Sequence, residues 1–193
     1  MHKAAEQAFT ESVKKKVLNS AGLKDVTDLG GFESHILAGT RQGRAVILRA
    51  THTSHRDLNL VQAELDWLRW LHEQDAAVCE VVPLPGGELC VQVNEFIVSM
   101  LAKASGRLIS EQDWAAPLFE RWGQVIGRLH QLSRHYQAGS ARRFCLTEDE
   151  NLNFNTRVPA DQERVQAVAA TEMAWLKGLA KDSSCYSLIH CDA

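Results

Sequence analysis

A chain of 193 residues is long enough for one large domain or for two small lobes with their own cores. Its hydrophobic content of 45% and charged content of 23% are ordinary for a soluble protein, and a net charge of −3 provides no basic surface for nucleic acid. No apolar run approaches the ~20 residues of a membrane span, and residues 1–6 do not begin a signal peptide. The five cysteines include no C-x-x-C pair, which predicts reduced thiols and a cytoplasmic protein.

The first elements predicted along the chain are a helix and a β-hairpin. Apolar residues recur at helical spacing over 5–19, which predicts an amphipathic helix. Two apolar segments, 29–38 and 44–50, flank a glycine-containing turn and predict two antiparallel strands. Gly30 and Gly31 open the first of these segments, where a flexible backbone lets N–H groups close on an anion. A plain loop is the alternative for such a glycine pair.

Arg49 is an unexpected side chain, because it ends a strand segment, 45–48, that is otherwise apolar. The periodicity over 60–73 predicts a helix, and at about 100° per residue Glu64 falls within its apolar arc. A carboxylate that points at a core needs a partner, because burying a lone charge is very costly. We therefore predict an ion pair between Arg49 and Glu64. The alternative is that both side chains reach the rim and are solvated.

Two further strands and a linker are predicted next. Residues 89–93 alternate as a half-exposed strand, and 96–101 form a more continuously apolar, buried strand. Together with the hairpin they predict a small antiparallel sheet that carries one helix. The short polar stretch 102–107 is predicted to link an N-terminal lobe, 1–101, to a second lobe, 108–193.

The second lobe is predicted to be helical and to end in a strand. Apolar residues at three- and four-residue spacing predict helices near 118–132 and 161–180. The partly β-branched run 186–189 predicts a buried strand that delivers His190 and Asp192 to a loop. Loops at strand ends are where α/β proteins tend to place their chemistry.

These parts suit phosphoryl transfer from a nucleotide. That reaction needs backbone donors over the phosphates and a cation on the phosphate oxygens that a carboxylate holds in place. It also needs an aspartate that accepts the proton of the acceptor hydroxyl, and a divalent metal ion. The glycine pair, Arg49 with Glu64, and Asp192 match the first three requirements in chain order.

Three segments, in this order and spacing, resemble the aminoglycoside phosphotransferase-like family of small-molecule kinases, which includes choline and homoserine kinase relatives. Residues 189–193 (I-H-C-D-A) are similar to the first half of that family's His-x-Asp-x-x-x-x-Asn loop. Residues 46–49 with Glu64, and the helix over 122–132, match two other family segments. The resemblance implies an α+β, protein-kinase-like fold of two lobes, with an N-terminal antiparallel sheet and an incomplete helical C-terminal lobe.

The resemblance also implies site residues and partners. Asp192 would be the catalytic base, and His190 would brace its loop. The residues implied to bind ATP, at its phosphates or its base, are Gly30, Gly31, Ser34, Arg49, Glu64, Ser99, Met100 and Leu101. Arg49 stands where many relatives have lysine, and a guanidinium approaches phosphate as a planar fork. The implied partners are a nucleotide and a small hydroxylated acceptor, with no nucleic acid and no membrane.

The family's metal ligands would lie beyond Ala193. We therefore expect Mg²⁺ for the family but no metal ligand within these residues, and little turnover by them alone. Exposed strand edges and apolar helix faces predict self-association. The sequence does not identify the acceptor, or decide between ATP and GTP.

Other readings remain open. The main alternative is a non-catalytic nucleotide-binding or assembly protein on the same scaffold. A Cys-His hydrolase is disfavoured, because adjacent His190 and Cys191 on an extended segment point to opposite sides. A metal site from Cys185, His190 and Cys191 lacks any recognised ligand spacing.

Overall fold

The computed structural model describes residues 3–141, 143–148, 153–182 and 184–189. The predicted catalytic pair, His190 and Asp192, lies outside the described residues, as does Cys191. The chain divides into two compact units, Met1–Arg142 with Ile189–Ala193, and Arg143–Leu188. The predicted lobes 1–101 and 108–193, with 102–107 between them, remain a prediction.

Two helices occupy the N-terminal region: α1 (Lys3–Ala8) and α2 (Glu11–Ala21). The single helix predicted over 5–19 is therefore wrong. The helix is interrupted because Thr10 has extended backbone angles, and its hydroxyl accepts an N–H from the first turn of α2. At the other end, Gly22 stops α2 in the left-handed conformation, with φ of 63°.

One antiparallel sheet of five strands follows, in the spatial order β1-β2-β3-β5-β4. The strands are β1 (Lys24–Gly30), β2 (Ser34–Arg41), β3 (Arg44–His52), β4 (Cys90–Val93) and β5 (Phe96–Ala102). The predicted hairpin is β2–β3, and the two later predicted strands are β4 and β5. The segment predicted over 29–38 as one strand is wrong, because Gly30 and Gly31 end β1 and turn the chain into β2, with φ of 74° and 152°.

The sheet buries a core on each of its two faces. One core packs against α2, and its members from β3 and β5 are Val46, Leu48, Ala50, Phe96, Val98 and Met100. The other core packs against the predicted helix, α3 (Leu58–Glu73), and includes Val61, Leu65 and Ile97. Side chains alternate along a strand, so Arg49 lies on the α3 face. Its cross-strand partner Ser99 lies on the same face.

A buried hydrogen bond joins α3 to the next helix, α4 (Ala116–Ser133), which confirms the helix predicted near 118–132. The indole Nε1 of Trp67 donates to Ser133 Oγ over 3.0 Å, and that hydroxyl donates to the carbonyl of Leu129 over 2.8 Å. The rings of Trp70 and Tyr136 meet nearby, with centroids 5.5 Å apart. The helix that carries Glu64 is thus fixed at its C-terminal half.

The second unit contains α5 (Phe154–Arg157) and α6 (Glu163–Gly178), and α6 confirms the helix predicted near 161–180. The strand predicted over 186–189 is wrong. Those residues form no strand, since no described segment pairs with them and a strand requires a hydrogen-bonded neighbour. In the part of the chain that the structure describes, no helix is long and apolar enough to cross a membrane.

Candidate active site

The loop between β1 and β2 has a backbone that requires glycine. The N–H of Gly30 donates to Asp28 Oδ1 over 2.9 Å, and this hydrogen bond lowers the pKa of the Asp28 carboxyl. Lys14 adds an ion pair to the same carboxylate, 3.4 Å away. A methyl group at Gly31 would lie 1.9 Å from the carbonyl oxygen of Ser34, so no larger residue fits this conformation. The side chain of Asp28 therefore anchors the base of a tight glycine turn.

Ser34, predicted to lie over the phosphates, begins β2 directly after this loop. Its side chain is buried, and its hydroxyl lies 2.8 Å from the hydroxyl of Thr51 on the α3-facing side of β3. The hydroxyl is therefore engaged within the sheet. When Thr51 is the donor of this bond, the Ser34 O–H is still able to donate to a phosphate oxygen, and its role over the phosphates remains a prediction.

The predicted ion pair is present. Arg49 Nη1 donates to Glu64 Oε1 over 2.7 Å, and the two side chains are only 21% and 16% exposed. The remaining donors of the guanidinium, Nε and Nη2, are buried and have no hydrogen-bond partner among the described residues. Buried charged donors without acceptors are rare, because each lost hydrogen bond is costly. The two donors of Arg49 are suited to a planar pair of anionic oxygens.

Arg56 completes this cluster, and sequence reasoning missed it. Its Nη1 donates to Glu64 Oε2 over 2.6 Å, and its Nη2 lies 3.7 Å from the carboxylate of Glu33 in the β1–β2 loop. Arg56 stands in the connection before α3, just ahead of the N-cap residue Asp57, where no periodicity marks its direction. The sequence feature that could have indicated its role is its position in the turn before the helix that carries Glu64.

The predicted base-binding residues Ser99, Met100 and Leu101 lie within β5, between β3 and β4. Ser99 and Met100 are buried. The carbonyl of Met100 already accepts the N–H of Val82 over 2.9 Å, and the N–H of Ala102 donates to Glu80 over 2.8 Å. Residues 103–107, just beyond β5, are exposed, and the N–H of Lys103 donates to the carbonyl of Ala45 over 3.1 Å.

One row of residues crosses all five strands and joins these predicted features. Gly30 is the cross-strand partner of Ile36, Ile36 of Arg49, Arg49 of Ser99, and Ser99 of Cys90. Side chains in one such row lie on the same face of an antiparallel sheet. The glycine turn, Arg49 and β5, whose residues are predicted to bind the base, are therefore aligned along one line of the sheet, beside α3.

No metal centre is evident in the described ranges. Within 3–141, 143–148, 153–182 and 184–189, no three His, Cys, Asp or Glu side chains gather to hold a metal ion. The predicted base Asp192 and His190 are outside these ranges, so their positions relative to Arg49 are not described.

Known proteins provide an independent comparison. Amicoumacin kinase of Bacillus subtilis (strain 168) is 28% identical over 205 residues, which cover the whole of this chain and 60% of that protein. The solved structure of amicoumacin kinase hAmiN in complex with AMP-PNP, Ca²⁺ and Ami matches with a TM-score of 0.88 and 29% identity, over 100% of this chain and 61% of its own. This chain thus spans about three-fifths of the length of these relatives.

More distant structures share the fold. A microcompartment-associated aminopropanol kinase matches with a TM-score of 0.59 at 20% identity, over 71% of this chain and 45% of its own. A spectinomycin phosphotransferase matches with a TM-score of 0.52 at 12% identity, over 95% of this chain and 62% of its own. These matches confirm the predicted kinase-like α+β fold. The model of the phosphotransferase enzyme family matches residues 27–193, which are most of the chain, and the protein therefore belongs to that family.

Proposed function

We propose that this protein is an ATP-dependent phosphotransferase that transfers the γ-phosphate to a hydroxyl of a small molecule. The observation that carries the proposal is Arg49, which presents two buried donors, without a partner in the described part of the chain, in line with the glycine turn. Arg49 and Arg56 share the single carboxylate of Glu64, so a neutral ligand would leave their excess positive charge uncompensated, whereas phosphate oxygens match both that charge and the fork of Arg49. Family membership and the AMP-PNP complex of the relative at 29% identity support ATP as the donor.

Each residue then has a physical task. Glu64 holds the guanidinium of Arg49 so that its free edge faces the phosphates. The glycine turn brings backbone N–H groups close to the phosphate oxygens without a side chain in the way. The base is proposed to lie beside Ser99, Met100 and Leu101 of β5, next to the exposed residues 103–107. Asp192 would accept the proton of the acceptor hydroxyl and His190 would hold its loop, both by resemblance to the family motif.

A divalent cation, which we take to be Mg²⁺, would neutralise phosphate charge when bound. The described residues hold no ligand set for it, so no step is assigned to the metal here. The acceptor is proposed to be a small hydroxylated molecule. Amicoumacin is the first compound to test, because two relatives at 28% and 29% identity are amicoumacin kinases.

A reducing compartment, the cytoplasm, is the proposed location. Cys79, Cys90, Cys145 and Cys185 are all free thiols. Free thiols persist where glutathione and thioredoxin keep cysteines reduced.

The test is calorimetric titration of the 193-residue chain with AMP-PNP, with and without Mg²⁺. We expect binding to the wild type, and a loss of about tenfold or more in Arg49→Met, because a charged hydrogen bond is removed. Arg69→Met is a matched control, since that arginine lies on α3 and is 55% exposed. Absence of nucleotide binding, or equal affinity in Arg49→Met, would overturn the proposal. ADP formation that depends on amicoumacin, however slow, would identify a kinase rather than a non-catalytic nucleotide-binding protein.

A further inference from the structure

Arg56 shares the carboxylate of Glu64 with Arg49, and this sharing has a consequence for the phosphate site. We infer that Arg56 is a positioning residue that keeps two donors of Arg49 available for the nucleotide, and that also ties the β1–β2 loop to α3. The inference rests on the proposed function, because it concerns the same nucleotide site.

The argument begins with the two oxygens of Glu64. Oε1 accepts from Arg49 over 2.7 Å, and Oε2 accepts from Arg56 over 2.6 Å. An arginine beside a lone carboxylate usually donates two parallel N–H groups, one to each oxygen. Here Arg56 donates to Oε2 and Arg49 to Oε1, while Nε and Nη2 of Arg49 remain unpaired among the described residues. Arg56 thus competes with a second donor of Arg49 for Oε2 of Glu64.

Charge supports the same conclusion. Arg49 with Glu64 alone is a neutral pair, whereas the addition of Arg56 leaves one net positive charge beside the glycine turn. Among the described residues, Glu33 is the other carboxylate paired with Arg56, but it is 57% exposed and lies 3.7 Å away, so solvent weakens its effect. A site that binds several phosphate charges benefits from this excess of positive charge.

Arg56 also connects the phosphate-binding loop to α3. Glu33 stands in the β1–β2 loop, two residues after Gly31, and the Arg56 guanidinium lies between it and Glu64. Through these two contacts Arg56 links the loop to α3. We expect Glu33→Gln to have a smaller effect than loss of Arg56, because the Glu33 contact is longer and more exposed.

The experiment compares AMP-PNP with adenosine, which has the same base and ribose but no phosphate. In the 193-residue chain, Arg56→Met is expected to weaken AMP-PNP binding by about tenfold and to leave adenosine binding unchanged. Arg56→Lys should restore part of the lost affinity, since it returns the charge without the fork. Arg69→Met again serves as the matched control, and thermal melts establish that each variant is folded.

A double-mutant cycle tests whether Arg56 acts through Arg49. In an Arg49→Met background, the further change Arg56→Met is expected to cost AMP-PNP affinity much less than it does in the wild type, because coupled residues are not additive. Equal AMP-PNP affinity in wild type and Arg56→Met, or additive losses, would overturn the inference and leave the proposed function standing. A parallel loss of adenosine affinity would also overturn it, since that outcome marks a general structural role. Failure of the wild type to bind AMP-PNP would instead refute the proposed function.

Discussion

Two cysteines, Cys90 and Cys145, have surroundings that move their pKa values in opposite directions. Burial on the α3 face of β4, with Asp66 nearby, raises the pKa of Cys90 to about 11. Cys145 lies in the second unit, and its pKa falls to about 7. The hydroxyl of Thr147 contributes most to that fall, followed by the hydroxyl of Tyr186, whose oxygens lie 3.2 Å and 2.8 Å from Sγ. Both contacts favour the thiolate over the thiol.

These shifts predict a selective reaction with iodoacetamide. A folded-state pKa below the ordinary value means that the Cys145 thiolate is already half formed near pH 7, whereas Cys90 stays protonated until strongly alkaline pH. Alkylation of Cys145 should therefore rise with a midpoint near pH 7, as followed site by site by mass spectrometry.

Tyr186→Phe should move the Cys145 midpoint upward, because it removes a donor to the thiolate. In denaturant both cysteines should react with a midpoint near ~8.5, the ordinary value. The prediction is contradicted if alkylation of Cys145 in the folded protein has a midpoint near the ordinary value and Tyr186→Phe does not change it. The hydrogen bonds would then not stabilise the thiolate.

At the scale of elements, the contact of α3 with α4 depends on one hydroxyl. Ser133→Ala should leave the buried Nε1 of Trp67 without its acceptor, and such a loss costs about 1–3 kcal/mol of unfolding free energy. Ser20→Ala is a matched control, since Ser20 also donates to a carbonyl of its own helix, Val17, over 2.8 Å. Urea denaturation of both variants measures the difference. Equal stabilities would mean that the indole finds another acceptor.

The elements that could be predicted from the sequence are those whose buried residues recur at the spacing expected for a helix or a strand. The helix α3 buries one stripe, and its apolar spacing over 60–73 marked it and directed Glu64 toward the sheet. The strand β5 is buried along most of its length and appeared as a continuous apolar run. The apolar run does not indicate which strand pairs with β5. The alignment of Arg49 with Ser99 is therefore visible only in the strand pairing of the structure.

The features that the sequence analysis did not predict correctly depend on local structure that leaves no mark in the hydrophobic periodicity. β1 is an edge strand whose side chains are mostly exposed, so it carries little apolar alternation. Thr10 divides α1 from α2 through a side-chain cap rather than through a glycine or proline. Arg56 reaches Glu64 from an irregular connection, where the direction of a side chain depends on the backbone path. The run 186–189 has strand-like composition but no described partner.

At the scale of the whole molecule, apolar surface should drive self-association. No residue of α6 is buried, and its exposed apolar side chains include Val165, Val168 and Trp175. Light scattering should show an apparent mass that rises with concentration and persists at high salt, since the contacts would be apolar rather than ionic. Val168→Lys should reduce this association.

Ala170→Lys supplies the control for the association experiment. It adds the same charge to α6 about 200° around the helix from Val168, where the surface is also exposed. A constant monomer mass, or equal effects of the two lysines, would contradict the role of the apolar face.

Of the five tryptophans, all of them in the described part of the chain, Trp67 alone is buried. It lies three residues after Glu64 on α3, and its indole is hydrogen-bonded to Ser133. A shift of α3 that accompanies nucleotide binding would stretch that bond and change the polarity around the ring, which alters the wavelength of its fluorescence. Replacing the other four tryptophans by phenylalanine would turn Trp67 into an intrinsic optical probe of the ion-paired helix.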